Sequence, residues 1–459
     1  MNINAHDQDF SNERAHRIND SNPFQSYQPY IILNVLCLML AIGPNIAWLY
    51  FSRYLETYLY HQMDRYDAKP KVEVWLFFLT TIVTAFFMPF AAIMIRNMHI
   101  KAVICLSCIC LMTGSLSFII VNNVWTFIIM QSIFSSIGTS IMLMVALQLA
   151  WEWFSPKRRG LINGVVIGFK NCSTALVIFL QVMIVESKNL APIENLSSNP
   201  PANIDVTAQK VAMKMILVYF IVCGLQGIIT AVVLATAKRN DVQLVREIEY
   251  TKRARMANAP AKARLIDQVR QSNSVNRLNK TQHINSPGSH YKSAEYLPFR
   301  YVLRSKQIMI LWCLEFLKSC LVGVFALQVI YSSAQEIDKD HAFCRGNLYA
   351  TLAVGLCCPL LGLLNDGCGI RYNSAIALIG LACTGATVSY FDTYSDMNKF
   401  WYLLVAHFML SWWEITINYG ISHLFGVYSA SYALGFVKTA EVLAGLIVLP
   451  LALALPCLD

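Results

Sequence analysis

Six charged side chains lie where charge is costly. Lys170, Glu315, Lys318, Glu414, Lys438 and Glu441 each interrupt a long run of Ile, Leu, Val, Phe and Ala. At the centre of a membrane-crossing helix such a group costs roughly 2.5–3.5 kcal/mol on insertion scales, so each marks a candidate solute or ion site. A carboxylate there takes up a proton or a cation, and an ammonium holds an anion. The competing reading is mutual neutralisation. Glu315 and Lys318, like Lys438 and Glu441, are spaced i, i+3 on one helical face and suit structural pairing. Glu414 has no partner close in sequence and reads as functional. Two roles stay open for it, uptake of a coupled proton or pairing with a cation until solute displaces it, with Lys318 the expected cation. Trp413 and Asn45 are further candidates for the same cavity, with Trp412, Gln131, His407 and Asn418. Three cations against three acids leave the sign of the solute undecided.

The elements that must position these groups are helices in a bilayer. The 459 residues are 56% hydrophobic and only 14% charged, with a mean hydropathy of +0.48. Soluble chains carry about 25% charged residues. Apolar runs approach or exceed the ~20 residues that cross ~30 Å of hydrocarbon, over 31–52, 73–95, 102–121, 124–150, 160–185, 211–237, 307–332, 347–365, 373–391, 399–424 and 432–456. Backbone groups in lipid must be satisfied within the segment, which makes these runs helices. The short alternation of a barrel strand is absent from them. The fold class is therefore all-α integral membrane, with about eleven transmembrane helices.

Basic residues orient the bundle. With the N-terminus cytoplasmic, the inner loops hold Arg96, His99 and Lys101, then Lys157, Arg158 and Arg159, then 238–306, then Arg371. Residues 238–306 contain fifteen Lys and Arg against five Asp and Glu, while the whole chain has a net charge of only +9. The basic excess is thus one linker plus short anchors, suited to anionic lipid headgroups and not read as a nucleic-acid surface. On the opposite side, 187–210 carries the glycosylation sequon Asn195-Leu196-Ser197. The organisation expected is a disordered cytoplasmic tail over 1–30, a six-helix half over 31–237, a basic cytoplasmic linker over 238–306 and a second half over 307–459. The tail lacks the pattern of a cleaved leader. An odd number of spans leaves the C-terminus outside, as though a twelfth helix were missing or lost. Cys105, Cys108 and Cys110 lie among Ile and Leu and read as packing residues, so neither a metal nor another cofactor is expected.

Two turns carry a family resemblance. Gly362-Leu363-Leu364-Asn365-Asp366-Gly367-Cys368-Gly369-Ile370-Arg371 resembles the G-x-L-x-D-x-x-G-x-R/K loop of the major facilitator superfamily. Gly362 allows close helix packing, Asp366 can accept from a neighbouring helix N-terminus as a state-dependent latch, Gly369 permits a tight turn and Arg371 anchors at the inner interface. The counterpart loop in the first half, around Ile95-Arg96-Asn97, lacks both the glycine and the aspartate. Trp153-Phe154, followed by Arg159-Gly160 and Gly164, is similar to a W-F-x-x-x-x-R-G-x-x-x-G segment of the oxalate–formate antiporter and monocarboxylate carrier branches. In it Pro156 ends helix four, and Arg158, Arg159 and Gly160 form a cytoplasmic turn. Gly164 and Gly168 give span five a face for close helix contact. Gly43, Ala47-Trp48 and Phe51-Ser52 resemble the first-span pattern of the same branches. A weaker internal echo aligns Gly164 with Gly435, and Lys170 then falls opposite Glu441.

The resemblance implies a two-half helical bundle and a secondary transporter that moves a small solute by alternating access. Its branches imply an organic anion such as a monocarboxylate; the intramembrane acids make a proton the candidate co-substrate. The alternative is a non-transporting membrane receptor or scaffold derived from the same fold, for which the missing final helix is the best support. No enzyme motif falls within a span. The partners expected are a small-molecule solute and the lipid bilayer of a eukaryotic plasma membrane or endomembrane, with no nucleic acid.

Overall fold

In the computed structural model the described residues are 28–43, 72–120, 123–185, 204–236, 302–335, 340–387 and 396–454. Most of the tail and of the basic linker, Asn45 and the sequon at Asn195 lie outside them. The helices are α1 (Gln28–Ile42), α2 (Val72–Asn97), α3 (Ile100–Ile120), α4 (Val124–Trp153), α5 (Arg159–Val185), α6 (Ile204–Thr236), α7 (Lys306–Gln335), α8 (Asp340–Thr387) and α9 (Asp396–Ala454). Each expected span coincides with a helix or an arm of one, although only part of the first is described.

The last two helices are each two spans. α8 turns at Gly369, with φ 77° and ψ 170°, giving arms α8a (340–368) and α8b (370–387). α9 turns at Gly426, with φ 70° and ψ 167°, giving arms α9a (396–425) and α9b (427–454). Both residues adopt a backbone conformation that glycine reaches without the penalty of a Cβ. The turn expected between spans eight and nine thus narrows to one residue. At the other punctuated turn, Asn123 Oδ1 caps α4 by accepting from Trp125 N at 2.9 Å. The helix stops at Trp153, before the extended Phe154; Ser155 is extended too, as Pro156 requires of its predecessor, and a short 3-10 turn follows at Pro156–Arg158.

Nine segments among the described residues are long and apolar enough to cross a membrane: α2 to α7, the joined pair α8, and the two arms of α9; the described part of α1 is a shorter apolar helix. Large side chains such as Phe220, Ile228, Leu356 and Ile379 are exposed on the bundle surface, where lipid is the matching solvent. α1 packs with α4, α5 and α6, and α3 with α4 and α6, forming one half; α7, α8 and α9 form the other. The halves meet along two seams, α5 against α8 and α2 against α9.

The first seam is a contact of backbones. A Cβ added at Gly160 would collide with the Gly362 carbonyl, one at Gly164 with the Cys358 carbonyl, and one at Gly168 would lie 2.5 Å from the Gly355 carbonyl. The close-packing face read from Gly164, Gly168 and Gly362 is therefore present. In the second seam, a Cβ at Gly435 would stand 2.8 Å from Pro89 Cα, and one at Gly445 2.5 Å from Ile82 Cγ1.

Candidate functional site

All six intramembrane charges gather between the halves, in two systems. Glu315 and Lys318 come from α7, and Lys438 and Glu441 from α9b. Lys438 Nζ donates to Glu315 Oε1 and to Glu441 Oε1, each at 2.8 Å. Lys318 Nζ lies 2.9 Å from each of the same two oxygens. The two i, i+3 pairs thus fuse into one quartet. Trp413 Nε1 on α9a completes it by donating to Glu315 Oε2 at 2.6 Å. Glu315 is fully buried, so its two oxygens are used where water cannot serve them. Trp312 Nε1 adds a bond to Thr439 Oγ1 at 3.0 Å. These contacts tie α7, α9a and α9b into a single body.

The second system crosses the halves. Lys170 Nζ on α5 donates to Glu414 Oε2 on α9a at 2.5 Å. Lys318, the expected partner of Glu414, is instead held by Glu315 and Glu441. Its i, i+3 and cross-helix carboxylates hold it, and α5 brings the ammonium of Lys170 to Glu414. Trp413 and Glu414, adjacent in sequence, accordingly serve different systems. One residue further along α5, Asn171 Nδ2 donates to Ser411 Oγ at 2.9 Å. Lys170–Glu414 is thus an ion pair that joins the two halves.

A cavity of about 360 Å³ opens onto these groups. Lys170, Lys318, Glu414, Lys438 and Glu441 line it, opposite a wall of Thr80, Thr81, Thr84 and Thr139 with Phe77 and Phe78. The threonine wall was not singled out in the sequence. Its signal is the Thr80-Thr81-x-x-Thr84 spacing on α2, which puts hydroxyls on successive turns of one helix. Serines of α4 hold that wall in place: Ser136 Oγ donates to the Thr80 carbonyl at 3.0 Å and Ser140 Oγ to the Thr84 carbonyl at 2.8 Å. Trp413, Trp412, Gln131, His407 and Asn418 do not line this cavity. Trp412 packs edge-on to Phe408, Gln131 accepts from Ser117 and His407 meets Asn347 at 3.4 Å.

The Gly369 end of the bundle is closed by contacts between the halves. Asp366 Oδ1 accepts from Gly160 N at 2.7 Å and Asp366 Oδ2 from Leu161 N at 2.9 Å. A carboxylate thereby caps the positive N-terminus of α5. Arg159 departs from the expected surface turn. Its side chain is buried and donates to the Ser422 carbonyl at 2.6 Å, because the turn tucks beneath α9a, whereas Lys157 and Arg158 remain exposed. Arg371 is exposed as well. In the first half, Arg96 Nη1 donates to Tyr432 Oη at 3.3 Å, with the guanidinium 5.4 Å from the ring centre.

A family model for the Major Facilitator Superfamily matches residues 42–449. The chain belongs to the Major Facilitator Superfamily. Its fold is similar to the proton:xylose symporter XylE bound to 6-bromo-6-deoxy-D-glucose, at 14% identity and a TM-score of 0.56 over 93% of this chain and 88% of that one. A partially occluded inward-open form of XylE from E. coli gives 13% identity and a TM-score of 0.60 over 95% and 92% of the two chains. The transporter FucP in its outward conformation gives 14% and 0.55 over 92% and 91%. No curated protein matches the chain in sequence at a significant level. This superfamily member is a multi-pass membrane protein of the transporter fold, and its two halves enclose the charged cavity.

Proposed function

We propose that this superfamily member is a secondary carrier, not an enzyme, that moves a small carboxylate-bearing solute by alternating access, with Glu414 as the group that accepts a coupled proton. The observation that carries the reading is the Lys170–Glu414 pair, which bridges the halves at 2.5 Å and faces the cavity. A bond across the halves must break when they separate. A solute carboxylate can replace Glu414 on Lys170, and a proton on Glu414 removes the charge then left without a partner. The closed Gly369 end and the cavity on the other side of Lys170 suit one state of such a cycle. The likeness to the monocarboxylate branch supports the carboxylate, and the solved relatives named as proton symporters support the coupling.

The test is uptake into liposomes that hold the purified protein and a pH-sensitive dye. Radiolabelled monocarboxylates should enter saturably and acidify the lumen, and Glu414→Gln should abolish the acidification. Saturable binding with no uptake would favour the receptor reading instead. The Gly369 end and the basic linker are assigned to the cytoplasmic side, on the basic excess of residues 238–306. Asn199→Cys should then react with an impermeant thiol reagent on intact cells that carry the protein at their surface. Labelling that requires permeabilisation would reverse the orientation.

A further inference from the structure

The geometry points to a solute that is a zwitterion with an apolar body, its carboxylate on Lys170 Nζ and its ammonium on Glu414. This rests on the reading of the cavity as a solute site and names the chemistry that the site takes; the ammonium stands in place of the coupled proton on Glu414, which then stays ionised.

Charge balance is the first argument. The six clustered groups sum to zero, three ammoniums against three carboxylates. A ligand of net charge adds an uncompensated charge to a site whose dielectric is low, which is penalised heavily unless a counter-charge arrives with it. A zwitterion brings none. Availability is the second argument. Lys318 and Lys438 each face two carboxylates, and Glu315 has both oxygens engaged. Lys170 and Glu414 have one ionic partner each among the described residues, namely each other. Their side chains keep 14% and 21% exposure, and both line the cavity. Inserting a carboxylate and an ammonium between them exchanges one ion pair for two, so neither buried charge is stranded.

The rest of the wall supplies the third argument. Phe77, Phe78, Met88, Leu143, Val322 and Leu410 surround the pair with apolar surface, suited to a hydrocarbon side chain. Thr80, Thr81, Thr84 and Thr139 line the same space and add polar residues to an otherwise apolar wall. A cavity of about 360 Å³ is at the lower end of ordinary ligand pockets, roughly 300–1,000 Å³. That size admits a molecule of the dimensions of a neutral α-amino acid. One whose side chain is itself charged would bring back the imbalance.

The experiment uses purified full-length protein in detergent and matched sets of probes. Alanine, valine, leucine and phenylalanine are each compared with the acid lacking the amino group and the amine lacking the carboxylate. Binding is measured by calorimetry at neutral pH and low salt. At least one of the four zwitterions should bind, and more tightly than both of its analogues by on the order of 30-fold, the scale of leaving one member of a buried charge pair unmatched. Glu414→Gln should reduce the preference for zwitterion over acid to about twofold, and Lys170→Met should do the same for zwitterion over amine. If the acids bind as well as their zwitterions, the solute is a simple anion; the zwitterion is then wrong and the carboxylate carrier stands. If none of the four zwitterions binds wild-type protein, the inference also falls, whatever the variants do. Tight zwitterion binding without uptake into liposomes upholds the site and overturns the carrier.

Discussion

The two seams between the halves occupy related places in the fold and are built differently. Where α5 meets α8a, glycines on three successive turns bring backbone against backbone, and Asp366 caps the helix N-terminus with two bonds to amides. Where α2 meets α9b, close approach occurs at Gly435 and Gly445, and the end is joined by Arg96 on Tyr432. Six residues beyond the corresponding glycines stand Lys170 and Glu441. Lys170 reaches across to the other half, whereas Glu441 stays within its own half, shared by Lys318 and Lys438. One seam thus carries a fixed contact and a single exchangeable ion pair. The other rests on a half made rigid by its quartet. An alternating-access carrier needs this division, because rigid bodies must be locked internally while the bonds between them stay breakable.

The largest expected effect lies inside the quartet. Glu315→Gln leaves Lys318 and Lys438 with Glu441 alone and weakens the bond from Trp413. Removing one partner of a buried pair costs about 3–5 kcal/mol. Thermal unfolding in detergent should show a large loss of stability, and little folded protein should be recovered. Wild-type stability would mean that the quartet rearranges freely, and the contrast with Lys170–Glu414 would disappear.

Glu414→Gln is the matching test on the exchangeable pair. Uptake should fall by at least roughly 30-fold, the scale of losing one member of a buried charge pair. Stability should change far less than for Glu315→Gln, since Lys170 and Glu414 retain contact with the cavity. If the two substitutions destabilised the protein equally, both ion systems would be structural.

Much of this arrangement is legible in the amino-acid sequence. The apolar runs gave the helices because a bilayer accepts few other solutions. Asp366, Gly362 and Gly369 were legible because a turn at a helix end fixes residue types at fixed spacing. The i, i+3 pairs were legible for the same reason, since helical geometry sets which side chains are neighbours. The partner of Glu414 was not. Lys170 and Lys318 both lie on helices that face α9a, and no local spacing says which will arrive. The fate of Arg159 was hidden likewise. A basic residue at a turn reads as an interface anchor until the fold places a carbonyl, here that of Ser422, above it.

Asp366→Asn acts on the stronger of the two end contacts. Asparagine keeps one acceptor for the α5 amides and loses the charge that suits a helix N-terminus. The closed end should open more readily, and transport should slow by about tenfold, in keeping with the 1.5–3 kcal/mol range for a hydrogen bond to a charged group. Equilibrium binding of solute should stay within about two- to threefold, because Asp366 does not line the cavity. Abolished binding in folded protein would make Asp366 part of the solute site and not a latch.

The smallest effect is expected at the other end contact. Tyr432→Phe removes the phenolic acceptor of Arg96 but keeps the ring beneath the guanidinium. The lost bond is 3.3 Å long and partly exposed, so its net value is at the low end of about 0.5–1.5 kcal/mol. The cation–π contact that survives contributes about 0.5–1 kcal/mol. Uptake should therefore change by only about twofold. Tyr432→Ala, which removes both interactions, should approach the effect of Asp366→Asn without exceeding it. The pair of substitutions separates two accounts of how the Gly369 end is held. If Tyr432→Phe slowed transport as much as Asp366→Asn, the two seams would be equal latches despite their different chemistry. If Tyr432→Ala had no effect, the end would be held by Asp366 and the buried Arg159 alone, and the half that lacks the glycine–aspartate turn would have no working latch.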